Sequence, residues 1–160
     1  MFGEPTKEHA WLQQLLGDWT YEGECYGGPD QPPMKSTGTE TVRPLGDFWI
    51  VAEGKGEMPG GGEGKTMMTL GYDVDKECYQ GTWVGSMMPK LWVYECSMDA
   101  DKRILTLAAD GPSMSGDGSM QRYEDIIEIV DKDHRILRAR ALGSDGKWNQ
   151  FMQTNYRRKG

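Results

Sequence analysis

From Asp18 onward, apolar and polar residues alternate with a period of two, in short runs separated by Gly, Pro and Asp. Every second residue of a strand faces the same side, so this alternation is typical of half-buried β-strands. The runs recur at roughly regular intervals and predict about ten strands. The turns between them, such as 74–77 and 143–146, are too short for crossover helices. Consecutive strands are therefore expected to pair antiparallel.

A long antiparallel meander leaves two exposed sheet edges unless it closes on itself. We therefore predict an all-β fold, a closed up-and-down antiparallel barrel formed by residues 1–160 as a single domain. The predicted strands are 19–26, 37–43, 48–57, 66–72, 79–87, 91–97, 104–109, 120–130, 135–142 and 148–157. Before them, Leu12, Leu15 and Leu16 lie at helical spacing after Pro5 and Thr6. This pattern predicts a short N-terminal helix that caps one end of the barrel.

The composition argues against several classes of partner. The chain has 18 Lys+Arg against 25 Asp+Glu, a formal net charge of −7. An acidic surface repels phosphates, so we expect no nucleic-acid partner. No apolar run approaches the length of a membrane span, and the N-terminal residues lack a signal-peptide core, so we expect a cytoplasmic protein without a membrane partner. Its 22 Gly, six Trp and seven Tyr suit short strands around an aromatic core.

The sequence contains no motif with the residue spacing that a metal site, a nucleotide site or a catalytic nucleophile requires. Cys25, Cys78 and Cys96 form no C-x-x-C pair and are expected to be free thiols, with the reactivity of Cys78 left open. The run Gly62-Glu63-Gly64-Lys65-Thr66 has Pro59 where a phosphate-binding loop needs its first glycine, and a predicted strand follows it instead of a helix. We therefore expect no metal and no cofactor.

Several motifs, in order along the chain, resemble those of one protein family. The segment Leu16-Gly17-Asp18-Trp19 contains a G-x-W sequence at the start of the first predicted strand. This motif after a short helix resembles that of the calycin superfamily of lipocalin-like barrels. The stretches 70–73, 81–88, 103–107 and 156–159 together are similar to an uncharacterised bacterial family, domain of unknown function fifteen seventy-nine. The resemblance implies a bacterial protein with a calycin-like barrel. It implies almost nothing specific about chemistry.

The resemblance also carries two expectations about single residues. Calycins pack an Arg from the last strand over the G-x-W tryptophan, which implies that Arg157 or Arg158 lies over Trp19; the alternative is a frayed basic tail. A haem-binding branch, the nitrobindins, would need an axial histidine. Here His9 falls on the helix and His134 in an Asp-rich turn. Neither is placed in a barrel cavity, so haem is not expected.

Aromatic residues and glycines share one face on two neighbouring predicted strands. The residues on these faces are Tyr79, Gly81, Trp83, Gly85 and Met87 on the first strand and Trp92, Tyr94, Cys96 and Met98 on the second. We expect both faces to point inward, where rings beside glycines leave concave space for an apolar ligand; the alternative is that the rings fill the core. The candidate ligand-binding residues are Trp83, Met87, Trp92 and Tyr94.

Arg122 is the candidate polar anchor for such a ligand. If it points inward opposite Glu40, Glu53 or Glu95, the lumen contains paired charges that orient a polar group. If it points outward, it belongs to a solvated face. Period-two alternation alone leaves this orientation open, because the strand 120–130 carries charged residues on both faces.

Three hypotheses about function follow. The leading one is that the barrel binds a small, partly apolar ligand in its lumen. An alternative is a cofactor-independent enzyme, an isomerase or hydrolase, that uses a tyrosine and a lumen carboxylate, with Glu53 and Glu95 as the candidates. Another is a protein-interaction module, recognised by an exposed apolar patch on the outside, through which the chain would also form a homodimer. The fold itself does not choose between them.

Overall fold

A computed structural model describes residues 3–27, 30–58 and 61–159. Within these ranges the chain forms one short helix and ten strands. In chain order the elements are α1 (Lys7–Gln13), β1 (Gly17–Cys25), β2 (Met34–Leu45), β3 (Trp49–Glu57), β4 (Glu63–Asp73), β5 (Cys78–Gly85), β6 (Met88–Met98), β7 (Ile104–Pro112), β8 (Met120–Asp131), β9 (His134–Leu142) and β10 (Trp148–Arg158).

The strands form a closed antiparallel barrel. Each strand pairs with the next one along the chain, and β1 pairs with β10 to complete the ring. At the two ends of this closing seam, Trp19 lies opposite Arg158 and Cys25 lies opposite Met152. The predicted all-β barrel of about ten antiparallel strands, with one short N-terminal helix, is confirmed. Closure satisfies the backbone groups that an open sheet would leave at its edges.

The register of the strands determines which face of each strand lies inside. Trp83 on β5 is opposite Met68 on β4 and Trp92 on β6, while Tyr94 is opposite Gly81. The same alternation continues through the fully buried side chains of β7. The structure therefore places the faces that carry Trp83, Trp92 and Tyr94 on the inside of the barrel.

The hydrophobic core lies at the end of the barrel that α1 covers. The indole nitrogen of Trp19 donates a hydrogen bond to the carbonyl of Leu15 at 3.0 Å, which ties β1 to the segment that follows the helix. The apolar side chains with at most 3% of their surface exposed at this end include Leu12, Leu15, Trp19, Ile50, Leu70, Leu105, Leu107 and Ile127. Burying each of them stabilises the fold by roughly 1.5–3 kcal/mol. This packing seals one end of the barrel.

Both histidines take part in structural contacts. The Thr6 amide donates to Nδ1 of His9 at 2.9 Å, and Nε2 of the same ring donates to the carbonyl of Tyr72 at 3.2 Å. His9 thereby caps α1 and attaches it to the end of β4. His134 bonds through Nε2 to the side-chain oxygen of Asn155 at 2.8 Å. Neither ring lies at a lumen-facing position of a strand.

Arg158 closes the sealed end over Trp19. Its guanidinium carbon lies 4.2 Å from the centre of the Trp19 ring. The same guanidinium donates hydrogen bonds to the carbonyls of Leu16 and Gln14. A cation over an indole face is attracted by the ring quadrupole. The prediction that an Arg from the last strand lies over Trp19 is confirmed, with Arg158 as the residue; Arg157 is exposed.

A second arginine reaches the same tryptophan from inside the barrel. The guanidinium carbon of Arg135 lies 4.7 Å from the centre of the Trp19 ring and 4.0 Å from that of Tyr156. It forms an ion pair with Glu40, and the two side chains are only 6% and 12% exposed. Each partner of a buried ion pair compensates the charge of the other. Removing one partner therefore leaves a desolvated charge without compensation.

We expect loss of the buried Glu40–Arg135 ion pair to lower the free energy of unfolding far more than loss of an exposed Glu–Arg ion pair. Glu40→Gln strands the Arg135 charge and should lower the free energy of unfolding by about 3 kcal/mol. The matched control is Glu53→Gln, which breaks the exposed ion pair with Arg43 and should change it by less than about 1 kcal/mol. Urea unfolding followed by tryptophan fluorescence measures both variants. Equal effects would show that Glu40 does not compensate a desolvated charge.

Candidate functional site

The inner surface of the barrel is not equally buried along its length. At the α1 end most inward-facing side chains are buried, although Met98 and Ile129 are half-buried. Towards the other end, inward-facing side chains keep accessible surface although the wall of strands surrounds them. These half-buried residues are Tyr21, Met68, Trp83, Trp92, Tyr123 and Met152. We call the end of the barrel opposite α1 the mouth.

Aromatic rings form one wall near the mouth. The Trp92 ring meets the Tyr123 ring edge to face, with 5.4 Å between their centres. Tyr123 in turn lies 6.2 Å from Phe151, again edge to face. The Trp92 ring covers Gly111 so closely that a Cβ there would lie 2.1 Å from a ring carbon. Gly111 therefore makes room for the ring itself.

The alternation of residues 79–87 predicted that Met87 lies on an inward strand face. The structure does not place it there. β5 ends at Gly85 and β6 begins at Met88, so Met87 belongs to the tight turn between them. The amide of Ser86 donates to the Lys65 carbonyl at 2.8 Å, which fixes this turn against β4. The thioether of Met87 lies beside Gly64 and Gly85 at the rim of the mouth. It is positioned to border the entrance instead of the interior.

The orientation of Arg122, which the sequence left open, is outward, so Arg122 is not the polar anchor of the lumen. Arg122 lies on the outer face of β8, where it forms ion pairs with Glu95 and Asp110, each at 3.3 Å. The reason is register: Asp110 is the strand partner of Arg122, whereas the neighbouring Tyr123 takes the inward position. Glu95 and Glu53, the carboxylates proposed for an enzyme, are also on the outside, 82% and 39% exposed.

The lumen contains a different carboxylate, Asp125. Its strand partners are the buried Leu107 and Ala139, which fixes its side chain on the inner face of β8. The phenol of Tyr94 donates a hydrogen bond to Oδ2 of Asp125 at 2.6 Å. Protein surrounds this carboxyl on all sides, yet the residue is half-buried and not fully covered. The surface that remains accessible must face the lumen.

Sequence reasoning missed Asp125, although a signal for it exists. The residue shares a strand face with Tyr123, Ile127 and Ile129. A single acid on an otherwise apolar strand face is the pattern expected of a carboxylate that points into an interior.

Burial sets the protonation states of the pair. Desolvation raises the pKa of Asp125 to about 6, while the hydrogen bond from Tyr94 partly opposes this rise. Burial first, and then the neighbouring Asp125 charge, raise the pKa of Tyr94 far above its usual value. Tyr94 therefore stays protonated and acts as a donor at neutral pH, whereas the charge of Asp125 changes close to neutrality.

The described residues contain no cluster of three or more His, Cys, Asp or Glu side chains placed to hold a metal ion. Cys25, Cys78 and Cys96 are free, and each is half-buried. Cys96 faces the lumen, where burial raises the pKa of its thiol to about 12 and keeps the thiol protonated. No helix within these residues has both the length and the apolar character needed to cross a membrane.

Two outer surfaces are alternatives to the lumen. One is a groove of about 540 Å³ at the α1 end, lined in part by Gln14, Lys102, Lys132 and Arg158. Arg158 there already bonds to the carbonyls of Gln14 and Lys132. The other is an apolar patch on the outer face of β4, β5 and β6, whose 39–62% exposed residues are Met67, Val84, Leu91 and Val93. This patch is one of the features that the interaction-module hypothesis predicts.

The unpaired carboxylate should reduce stability at neutral pH. Because the pKa of Asp125 is about 6 in the folded protein, above that of an unfolded Asp, the folded state binds protons more tightly. The charged form therefore destabilises the fold above this pH, and the penalty disappears in acid. Asp125→Asn should raise the free energy of unfolding by about 2 kcal/mol near pH 7.5, and by almost nothing near pH 4.

Chemical denaturation of this variant at both pH values tests the expectation. The matched control is Asp110→Asn on the outer face, where the side chain is 62% exposed. It should change the free energy of unfolding by less than about 1 kcal/mol at either pH. A stabilisation by Asp125→Asn that is as large in acid as at neutral pH would contradict the charge-based explanation.

Solved structures share this fold at low sequence identity. Rv2717c from M. tuberculosis is 14% identical, with a TM-score of 0.64, and the match covers 98% of this chain and 100% of that one. A de novo designed fluorescence-activating β-barrel is 16% identical, with a TM-score of 0.51 and coverage of 92% and 96%. The barrel EF1p2_mFAP2b bound to DFHBI is 13% identical, with a TM-score of 0.51 and coverage of 95% and 99%. These likenesses concern the fold.

Relatives in sequence are identified at the level of the family. None of the curated proteins matches the chain. Residues 4–158 match the family described as "Protein of unknown function (DUF1579)". Since this match covers nearly the whole chain, the protein belongs to the DUF1579 family.

Proposed function

We propose that this protein binds a small, partly apolar molecule in the lumen of the barrel. The observation that carries the proposal is the half-buried state of inward-facing aromatic and thioether side chains between the sealed end and the mouth. Ligand pockets are concave and mostly apolar, with a few polar groups that fix orientation. The lumen has this character, with Trp83, Trp92 and Tyr123 as apolar walls and Asp125 as a polar group.

The residues near the mouth suit ligands of more than one shape. Methionine is unbranched and polarisable, so Met68 and Met152 in the wall and Met87 at the rim adapt to irregular surfaces. Apolar area removed from water contributes about 25 cal/mol per Å². Among structures that share this fold, EF1p2_mFAP2b is bound to DFHBI, which is compatible with a small ligand in the present barrel.

The pair formed by Asp125 and Tyr94 favours a second candidate, a cofactor-independent isomerase or hydrolase. A lumen carboxylate with a pKa of about 6 is suited to accept a proton near neutral pH. This candidate now rests on Asp125 and no longer on Glu53 or Glu95. Conversion of a bound molecule on incubation with the protein, lost in Asp125→Asn while binding remains, would favour the enzyme over the carrier.

Bacterial origin, a cytoplasmic location, the absence of nucleic-acid and membrane partners, and a homodimer through the outer patch remain proposals that rest on the sequence. Size-exclusion chromatography with light scattering tests the dimer directly. A monomer at all accessible concentrations would remove it.

We expect Trp92→Ala to weaken ligand binding. Its half-buried ring forms part of the aromatic wall, so its loss should reduce affinity for the apolar fluorophore N-phenyl-1-naphthylamine by about tenfold. The matched control is Trp148→Ala. Trp148 lies on the outside, where the Arg140 guanidinium carbon is 4.6 Å from its ring centre, and its loss should leave affinity unchanged. Fluorescence titration of the probe measures both.

The two tryptophan variants also decide where the probe binds. Equal weakening by both would indicate a general loss of stability, which unfolding curves would reveal. Weakening by Trp148→Ala alone would place the site on the outer surface and overturn the lumen proposal. Failure of the wild-type protein to bind this probe or any of a set of small apolar molecules would overturn it as well.

A further inference from the structure

Asp125 is an unpaired charge inside the barrel. The other interior carboxylate, Glu40, is neutralised by its ion pair with Arg135. No Lys or Arg within the described ranges forms an ion pair with Asp125. A desolvated carboxylate without a cation is rare in a core, because nothing offsets the lost hydration.

One oxygen of this carboxylate is free to accept a hydrogen bond from a ligand. Tyr94 occupies Oδ2, and Oδ1 has no partner in the described part of the chain. Within that part, the only fully covered polar side-chain atom that lacks a partner is Nε of Arg135. Oδ1 of Asp125 is therefore not fully covered, and its accessible surface lies inside the lumen. The Tyr94 hydrogen bond holds the carboxylate so that this oxygen stays available.

We propose that Asp125 is the polar anchor of the lumen and that the site selects ligands with a protonated amine or another cationic nitrogen beside an apolar body. This inference rests on the proposed function and names the ligand class. A cationic nitrogen supplies both the missing hydrogen-bond donor and the missing positive charge. An anionic ligand of the same size meets repulsion from Asp125 at the same place.

The surroundings of Asp125 determine how binding should depend on pH. Its neighbours on β7 and β9 are the apolar Leu107 and Ala139. The titratable side chains on the facing strands are the phenols of Tyr94 from β6 and Tyr156 from β10 and the thiol of Cys96 from β6, which burial keeps protonated. Beyond Tyr156 lies the Glu40–Arg135 pair, contributed by β2 and β9. The tyrosines are neutral, so Asp125 is the group whose charge changes between about pH 5 and pH 7.5.

Three naphthalene probes that differ in their polar group test whether Asp125 anchors a cationic nitrogen. We would measure binding of 1-naphthylmethylamine, 1-naphthalenemethanol and 1-naphthoic acid by calorimetry and ligand-detected NMR. We expect the amine to bind at least about tenfold more tightly than the alcohol near pH 7.5, and the acid to bind most weakly. The preference for the amine should shrink several-fold near pH 5, where Asp125 is protonated; affinity for the alcohol should not change.

Substitutions locate the preference at one residue. Asp125→Asn should reduce the affinity for the amine to that for the alcohol and leave the alcohol unaffected. Asp110→Asn, on the outer face, serves as the matched control and should change nothing.

The outcomes separate this inference from the proposed function. Equal affinity for amine and alcohol in the wild-type protein, or an amine preference that survives Asp125→Asn, would overturn the anchor while leaving lumen binding in place. Binding of none of the three probes would overturn the anchor and count against the lumen as a ligand site.

Discussion

The barrel depends on the seam where β1 meets β10 and on the tryptophan held there between two cations. Trp19 has Arg158 at 4.2 Å and Arg135 at 4.7 Å from its ring centre. Two guanidinium groups this close to one ring would repel each other without a neighbouring negative charge. Glu40 supplies that charge through its pair with Arg135. Trp19, the two arginines and Glu40 thus seal the α1 end of the barrel. Any access to the lumen is therefore through the mouth.

This arrangement separates stability from recognition along the axis of the barrel. The α1 end contains the fully buried aliphatic residues and a neutralised ion pair. The mouth half contains half-buried rings and thioethers, and the carboxylate of Asp125, which has no counter-ion, lies between the two halves opposite Leu107. The outer faces differ as well: β8 and β9 carry ion pairs such as Glu124 with Arg140, whereas β4, β5 and β6 carry an apolar patch.

Most of the fold could be predicted from the sequence, and about half of the site. Period-two alternation places Trp83 and Trp92 on definite faces, and the rings beside glycines predicted that these faces point inward. Hydrophobicity alone does not decide this for β6, because Leu91 and Val93 on its outer face are also apolar. The strand that carries Arg122 and Asp125 has polar residues on both faces, so only register with Asp110 and Leu107 decides its orientation. Met87 continued an alternating pattern that a tight turn interrupts. Turn geometry and register are properties of paired strands, and one strand's sequence does not specify them.

The seam also determines when a ligand site can exist during synthesis and folding. Every strand pairing except one joins neighbours along the chain; the exception joins β1 to β10, and the contact of Arg158 with Leu16 spans 142 residues. Until β10 is in place, the sheet has two unpaired edges that invite association with other chains. Contacts this distant in sequence form slowly. The enclosed lumen, with Asp125 inside it, therefore forms only when β10 pairs with β1. An incomplete chain has no interior in which to retain a ligand.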